Sequence, residues 1–466
     1  RVMAEQGRFL TGGTMGHVVR MTATGAMGIT FVFVVDAANL LWISQLGDPR
    51  LVAAIGFAYA VQFFSVSIAV GLMIATTAVI SRSIGQGAHA QARRQAAAGT
   101  VIAAAILTLV VAAIVGFRHE LIALAGATGE TARLASRYLA ITIPSLIPMS
   151  AALACSGVLR AHGYGAKAMY VTLFSGFVLL LLDPVLIFYL GWGLDGAAIG
   201  LVLFRFSLLG LALYYAVVQM GLLERPRLRT LRNIAGPFAA VAIPAVATQM
   251  STPAGNYFLT IVMAQYGDDA MAAWAVIGRL TVVVFGGVFA LSGAIGGIFG
   301  QNYGAGRMSR VRSTYRDALL FCGIYTLLAW GLLIMVTPHV IALFGLSGLG
   351  ADVLRSFTFV GVGGFIFIGA LFVSNAAFNN LGRAGRSTLV NWIKDGLLSW
   401  PAAAWLAALF GAQGVIYGQA LAGGVVGIGA ALWGWFYVRG LRDPVGAPLD
   451  PGTPRPYPNP DRYRRR

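Results

Sequence analysis

Charge is scarce in this chain. Asp, Glu, Lys and Arg make up 11% of its 466 residues, where a soluble domain carries roughly 25%, and that shortage excludes an ordinary soluble protein. Acids are scarcer than bases, 16 against 33. There are only two cysteines, Cys155 and Cys322, in separate apolar runs. A disulfide framework is thereby excluded, and both read as small packing residues. The five histidines (His17, His89, His119, His162 and His339) fall at helix ends or in loops, and no HExxH or other metal spacing occurs. Nothing in that pattern suggests a membrane-embedded metalloenzyme, and no cofactor is expected.

What the chain has instead is apolar length. Hydrophobic residues make up 58% of it, and runs of roughly 20 apolar residues, each enough to cross a bilayer as a helix, recur throughout. Lipid offers the backbone no hydrogen-bond partners, so spanning segments are helices or closed barrels. These runs are too long and too evenly apolar for the alternating strands of a barrel. The sequence therefore predicts an all-α polytopic membrane protein with twelve transmembrane helices. They fall near 18–42, 52–80, 97–117, 137–158, 168–190, 196–218, 236–264, 271–299, 317–337, 356–381, 388–410 and 413–438. The first run carries Asp36 well inside it and no small-residue cleavage site follows, so it reads as a span and not a signal peptide.

The net charge of +17 would suit nucleic acid, but its placement argues otherwise. Loops after the even-numbered helices hold fifteen Lys and Arg, the alternate loops five, and the segment from Arg439 seven more. That is the positive-inside pattern, so both termini are expected in the cytoplasm of a multi-pass bacterial inner (plasma) membrane protein. Membrane lipid, not nucleic acid, is the partner for this basic surface. Residues 441–466, rich in Pro and polar residues and closing on Arg464, Arg465 and Arg466, are expected to form a disordered basic tail.

The second half repeats the first. LGDPRLVAAIG near 46 answers YGDDAMAAWAV near 266, pairing Gly47 with Gly267. IGQGAHAQARR answers YGAGRMSRVR, pairing Gly87 with Gly306 and Arg93 with Arg312. LRAHGYGAK answers NNLGRAGR, and GLDGAAIG answers GAQGVIYG, pairing Gly196 with Gly414 and Gly200 with Gly418. The offset stays between 218 and 220. Six helices per repeat is an even number, so both repeats insert the same way and are related by a pseudo-twofold along the membrane normal. The expected organisation is two six-helix bundles, 10–220 and 236–440, joined by a cytoplasmic linker at 221–235 and facing a central cavity.

Few charges stand well inside the spans: Arg205, Arg279 and Lys394 among bases, Asp36, Asp183 and Asp395 among acids. Each costs at least ~2.5 kcal/mol by insertion scales. Lys394 and Asp395, about two turns from the cytoplasmic end of helix 11, read as local structure, since long side chains there reach the interface. Arg205 and Arg279 read first as helix-pairing residues, with substrate contact as the alternative. Asp36 and Asp183 stand on helices 1 and 5, both running outward, roughly 10–15 Å below their outer ends. Matching depth in one bundle allows them one chamber. Pro184 follows Asp183 and lacks a donor, which frees the carbonyl of Leu180 one turn back. A carboxylate beside such an oxygen suits a proton relay or a small hard cation. The alternative is an acid locked to a basic or amide neighbour. Under the repeat Asp36 falls on Asn256, a neutral amide, so titratable function is expected in the first half alone.

GQNYGAGR at 300–307, LDP at 182–184, LGRAGR at 381–386 and the position of Asp36 resemble the multidrug and toxic compound extrusion (MATE) family. The resemblance covers residues 10 to 440 and includes the helix count and the repeat. It implies a cation-driven antiporter that expels organic, often cationic, compounds. Within the family the chain resembles the DinF-like branch, where acids on helices 1 and 5 form the coupling site, the places of Asp36 and Asp183. The NorM-like branch also uses acids on helices 7 and 10. Here those helices read PAVATQMSTPAGNYF and FVGVGGFIFIGALFVSNAAF, with no acid. Two positions depart from the family. Leu179 stands where an asparagine often precedes the helix 5 acid, and helix 1 has Gly25 and Gly28 in place of a proline. The missing amide turns the reading toward H+ as the coupling ion, with Na+ the alternative.

The expected function is secondary active multidrug efflux by a monomer, exporting small-molecule organic cations and drugs in antiport with protons. Asn39, Met250, Asn256, Tyr257, Met263 and Arg279 are the candidate substrate-cavity residues, and ordinary helix packing is the competing role for those of helix 7. A lipid-linked oligosaccharide flippase is the alternative that a basic cavity with Arg205 and Arg279 would favour. A membrane-embedded enzyme or a passive channel are the alternatives from other classes.

Overall fold

The structure, a computed structural model, describes residues 7–442, save the side chains of Pro49, Ala60 and Asp268. The expected basic tail lies outside the described residues from 443 onward. Every expected span is helical: α1 Thr14–Ser44, α2 Pro49–Gly85, α3 His89–Gly116, α4 Gly129–Ala161, α5 Gly165–Tyr189, α6 Gly193–Gln219, α7 Leu228–Ala264, α8 Asp268–Ala294 with its continuation Gly296–Gly304, α9 Met308–Leu343, α10 Gly348–Asn380, α11 Ala384–Trp392 continuing through Phe410, and α12 Ala412–Gly440. Eleven of them are long and apolar enough to cross a membrane. The exception, α11, carries Lys394 and Asp395 near its middle, which lowers its apolarity without interrupting the helix.

Several helices are irregular. Pro144 breaks α4 into two pieces across the tight turn Ile143–Ser145. Wide π turns occupy Val185–Tyr189 of α5, Tyr214–Gln219 of α6, Phe357–Gly361 of α10 and Ile393–Leu398 of α11. Such turns are rare and cluster at functional positions. The linker is shorter than the expected 221–235, because α7 already begins at Leu228. Pro226 is its last helix breaker, and the following Leu, Arg and Thr residues continue the helix to the apolar run.

The described residues divide into two compact units. One comprises Met27–Ile80 and His89–Val246; the other takes the described parts of Arg1–Ala26, Ser81–Ala88 and Ala247–Arg466. In the first, glycines bring helices into backbone contact. A Cβ on Gly196 of α6 would stand 2.6 Å from the Leu186 carbonyl oxygen, and one on Gly176 of α5 would stand 2.4 Å from the Phe31 ring of α1. In the second unit, Gly414 and Gly418 do the same for α12. Their Cβ atoms would meet Leu406 O at 2.1 Å and Ala403 Cα at 2.4 Å of α11. The repeat at GLDGAAIG and GAQGVIYG is thus a small-xxx-small packing requirement met twice.

The second unit also fixes the start of the chain. Phe9 is fully buried among Leu291, Ile295, Phe299 and Tyr315. Its N–H donates to Gln301 Oε1 (3.0 Å), and its carbonyl accepts from Asn302 Nδ2 (3.2 Å) and Arg310 Nη2 (2.8 Å). Arg310 Nη1 reaches Gly12 O at 2.8 Å. The GQNYGAGR stretch and the turn after it form a clamp for residues 9–12.

Candidate functional site

The two acids singled out by the sequence lie in the same compact unit. Asp36 is on α1, and Asn39 follows it by three residues on the same helix face. Asn39 Nδ2 donates to Asp183 Oδ2 of α5 at 2.7 Å. Asp183 is 1% exposed, and its Oδ1 accepts no hydrogen bond from the described residues. Asp36 differs: it is exposed and hydrogen-bonded to none of the described residues. One acid is therefore open to whatever fills the accessible space, and the other is held one turn away through an amide. Asn39, expected in the substrate cavity, serves Asp183 directly.

The chain reaches this geometry by local means. Asp183 ends the regular part of α5, and Pro184 leads into the π turn, where Leu190 N donates to Val185 O at 2.9 Å across five residues. Gly200 of α6 leaves the room the carboxylate occupies: a Cβ there would stand 2.3 Å from Asp183 Oδ1 and 3.1 Å from Leu179 Cδ1. Leu179 is buried beside the acid, so an apolar wall stands where an amide was looked for. Leu180, the residue whose carbonyl was expected to be freed, is half-buried one turn before Asp183.

Arg205 is the third charge, only 4% exposed. Its Nη1 donates to Thr142 O (2.8 Å) and Ser145 Oγ (3.0 Å), and its Nη2 to Gln62 Oε1 (2.6 Å). Gln62 Nε2 in turn donates to Thr142 Oγ1 at 2.9 Å. The guanidinium thus joins α2, α4 and α6 where α4 is broken, and it satisfies a carbonyl that the break exposes. It lies within electrostatic range of Asp36, and Tyr138 lies within range of both acids and of Arg205. No acid is hydrogen-bonded to Arg205 among the described residues. The sequence singled out Arg205, but not Gln62, Thr142 and Ser145, since no spacing joins residues from three helices.

The second-half candidates divide. Asn256 and Arg279 are exposed, Tyr257 is 65% exposed, and Met250 is half-buried. Arg279 has no hydrogen-bond or ion-pair partner among the described residues. Met263 is a correction: it is fully buried in the apolar core with Leu259, Val262, Ala273 and Trp274. Positions 259, 262 and 263 form the inward stripe of α7, so Met263 packs and lines no accessible surface. Lys394 and Asp395 form an ion pair that is nearly buried, not a surface pair.

Comparison with known proteins agrees with the family resemblance read from the sequence. The MatE family model matches residues 26–185 and 244–405. A Shewanella oneidensis protein named FAD transporter is 25% identical over 442 residues, covering 92% of this chain and 95% of its own length. The multidrug export protein MepA of Staphylococcus aureus is 22% identical over 405 residues, covering 84% and 87%. Among solved structures, an outward-facing multidrug resistance MATE family transporter of the MOP superfamily aligns with a TM-score of 0.86 at 21% identity, covering 93% of this chain and 98% of that one. The Vibrio cholerae MATE transporter VcmN, in a mutant form, aligns with a TM-score of 0.87 at 23% identity, covering 91% and 97%.

Proposed function

Since the chain belongs to the MATE family of membrane transporters, we propose that it is a proton-coupled efflux antiporter of organic cations, of the branch that couples through the first bundle. The observation that supports this is an exposed Asp36, hydrogen-bonded to none of the described residues, one turn from the Asn39 that holds Asp183. With both acids ionised and Arg205 charged, the cluster holds one net negative charge. One proton or one monovalent cationic substrate neutralises it. The two ligands compete for the same charge. Protons entering from outside displace the substrate outward. Return of the unloaded carrier releases them to the cytoplasm, by mass action between two conformations.

Protons are favoured over sodium by the donor set. A hard cation wants about six oxygens. Here the amide presents its nitrogen to Asp183, and Leu179 supplies only hydrocarbon. The distribution of Lys and Arg supports a bacterial inner membrane location with both termini cytoplasmic. A second reading, export of an anionic flavin nucleotide, is favoured by Arg279, which pairs with none of the described residues, and by the likeness to the Shewanella protein named FAD transporter.

The test is ethidium efflux and flavin release from a pump-deficient bacterial host, with and without an uncoupler. Uncoupler-sensitive ethidium efflux that Asp36→Asn abolishes is the expected result. Flavin release with no ethidium efflux would replace the cation reading with the second one. Efflux that ignores both the uncoupler and Asp36→Asn would overturn proton coupling.

A further inference from the structure

The first unit carries an exposed aromatic pair that the coupling above does not use. On α2, Gly56, Tyr59 and Phe63 form an exposed stripe at helical spacing. Tyr59 is 50% exposed and Phe63 37%, and their ring centroids lie 5.8 Å apart with the planes tilted by 37°. Tyr59 stands ten residues, about 15 Å of helix, from the start of α2 at Pro49. Asp36 stands eight residues, about 12 Å, from the outer end of α1 at Ser44. Ring and carboxylate are at similar depth, and Tyr59 lies within electrostatic range of Asp36. Below Phe64 no described residue of α2 is exposed, so the accessible face of the helix ends at this level.

Two features mark that face as a watery chamber and not a lipid contact. An exposed carboxylate is costly against hydrocarbon, so the space onto which Asp36 opens holds water. The Tyr59 hydroxyl bonds to none of the described residues, and at this depth it too needs water. The aim of the rings is fixed from within. Gln62, which lies between them in sequence and is buried, accepts from Arg205 Nη2 (2.6 Å) and donates to Thr142 Oγ1 (2.9 Å), and this sets the roll of α2. At the repeat offset of 220, Tyr59 corresponds to Arg279 and Phe63 to Val283, both exposed as well. The second repeat thus presents a guanidinium where the first presents a phenol. The rings belong to the repeat that holds Asp36 and Asp183.

We propose that Tyr59 and Phe63 form a π platform that selects weakly hydrated, delocalised cations, such as quaternary ammonium and aromatic iminium groups, over primary ammonium. A cation within about 6 Å of a ring centroid is attracted by the ring quadrupole, most strongly once desolvated. A primary ammonium is a compact charge that holds its water, so it gains less. Asp36 supplies the charge and the rings supply the choice. Arg205, only 4% exposed and turned onto Gln62, Thr142 and Ser145, leaves the platform free. The proposal rests on the organic-cation reading and needs no proton gradient.

The experiment is ethidium binding to the purified full chain in detergent at constant pH, read by fluorescence polarisation. Benzyltrimethylammonium and benzylamine serve as competitors, one scaffold with a quaternary and a primary head. In wild type the quaternary compound should displace ethidium at lower concentration than the primary one. Tyr59→Leu/Phe63→Leu keeps apolar bulk and removes both rings. It should weaken ethidium binding about tenfold and abolish the preference between competitors. Its thermal unfolding should stay near wild type, since both rings are exposed. Tyr59→Trp should bind at least as tightly as wild type, because indole offers the strongest π face. Phe64→Leu, which removes an exposed ring outside the pair, should change nothing. Equal ethidium affinity in wild type and the double leucine variant overturns the platform and leaves the cation reading standing. Folded wild type that binds no ethidium overturns the cation reading and the platform with it.

Discussion

Replacing Gly200 with alanine should damage the coupling site without touching a charge. The new Cβ would lie 2.3 Å from Asp183 Oδ1, whereas real Cβ contacts essentially never fall below 3.0 Å, so the carboxylate or α6 must give by 0.7 Å. Overpacking of this kind costs about 1–3 kcal/mol. If the carboxylate turns away, it also loses the 2.7 Å bond from Asn39, and hydrogen bonds to charged groups are worth about 1.5–3 kcal/mol. The combined destabilisation is about 2.5–6 kcal/mol. Gly210 of the same helix is the control, since a Cβ there meets nothing within 4 Å. Thermal unfolding in detergent, followed by tryptophan fluorescence, gives the stability, and ethidium efflux gives the function. Gly200→Ala should lower the unfolding midpoint well below that of Gly210→Ala and should abolish efflux. Adding Asp183→Ala should recover much of the lost stability, by relieving the clash, and none of the efflux. A Gly200→Ala protein as stable and active as Gly210→Ala would refute the packing argument. Strict additivity of the two substitutions would refute the contact itself.

Asp36→Asn should abolish efflux while leaving expression and thermal stability near wild type, because Asp36 is exposed and is hydrogen-bonded to none of the described residues; full drug resistance in cells carrying it would contradict the assignment. Binding of a fluorescent organic cation to the purified protein should weaken as pH falls, since protonation removes the charge that attracts it, and should respond little to sodium balanced with choline. Strong sodium displacement with a flat pH response would reverse the choice of ion. Gln301→Ala removes the acceptor for Phe9 N–H, a loss of about 0.5–1.5 kcal/mol, so residues 9–12 should exchange amide hydrogens several-fold faster while α5 and α6 do not change; equal exchange in both proteins would deny the clamp.

Much of the fold was legible in the sequence because the bilayer imposes a simple length rule, and all twelve runs became helices. The π turns were not. Pro144 announces the break in α4, but no proline precedes the turn at Phe357–Gly361 within its helix. Asp36 and Asp183 were found by their cost in an apolar run. Asn39 was placed in the substrate cavity because nothing in its spacing names a partner 144 residues away. Asp395 was read as local structure, and it is paired with its neighbour Lys394. The apolar run begins near 388, whereas the helix begins at Ala384, so the depth of the acid was underestimated by a turn. GQNYGAGR served as a family mark, and its hold on Phe9 lies beyond any pattern, since donor and acceptor are 292 residues apart.

The boundary between the two compact units falls inside α1, between Ala26 and Met27, with Gly25 and Gly28 on either side. The helix is anchored below this point by the clamp on residues 9–12 and carries Asp36 above it. α1 is one of three helices that the boundary divides, the others being α2 between Ile80 and Ser81 and α7 between Val246 and Ala247, and within α1 the two glycines offer the least side-chain resistance to bending. A charge change at Asp36 acts nine residues beyond the boundary, about 14 Å along the helix. Alanine at Gly28, whose Cβ would meet Thr172 only at 3.9 Å, would stiffen that stretch without a clash, whereas at Gly25 it would also press on Ala290 at 3.0 Å.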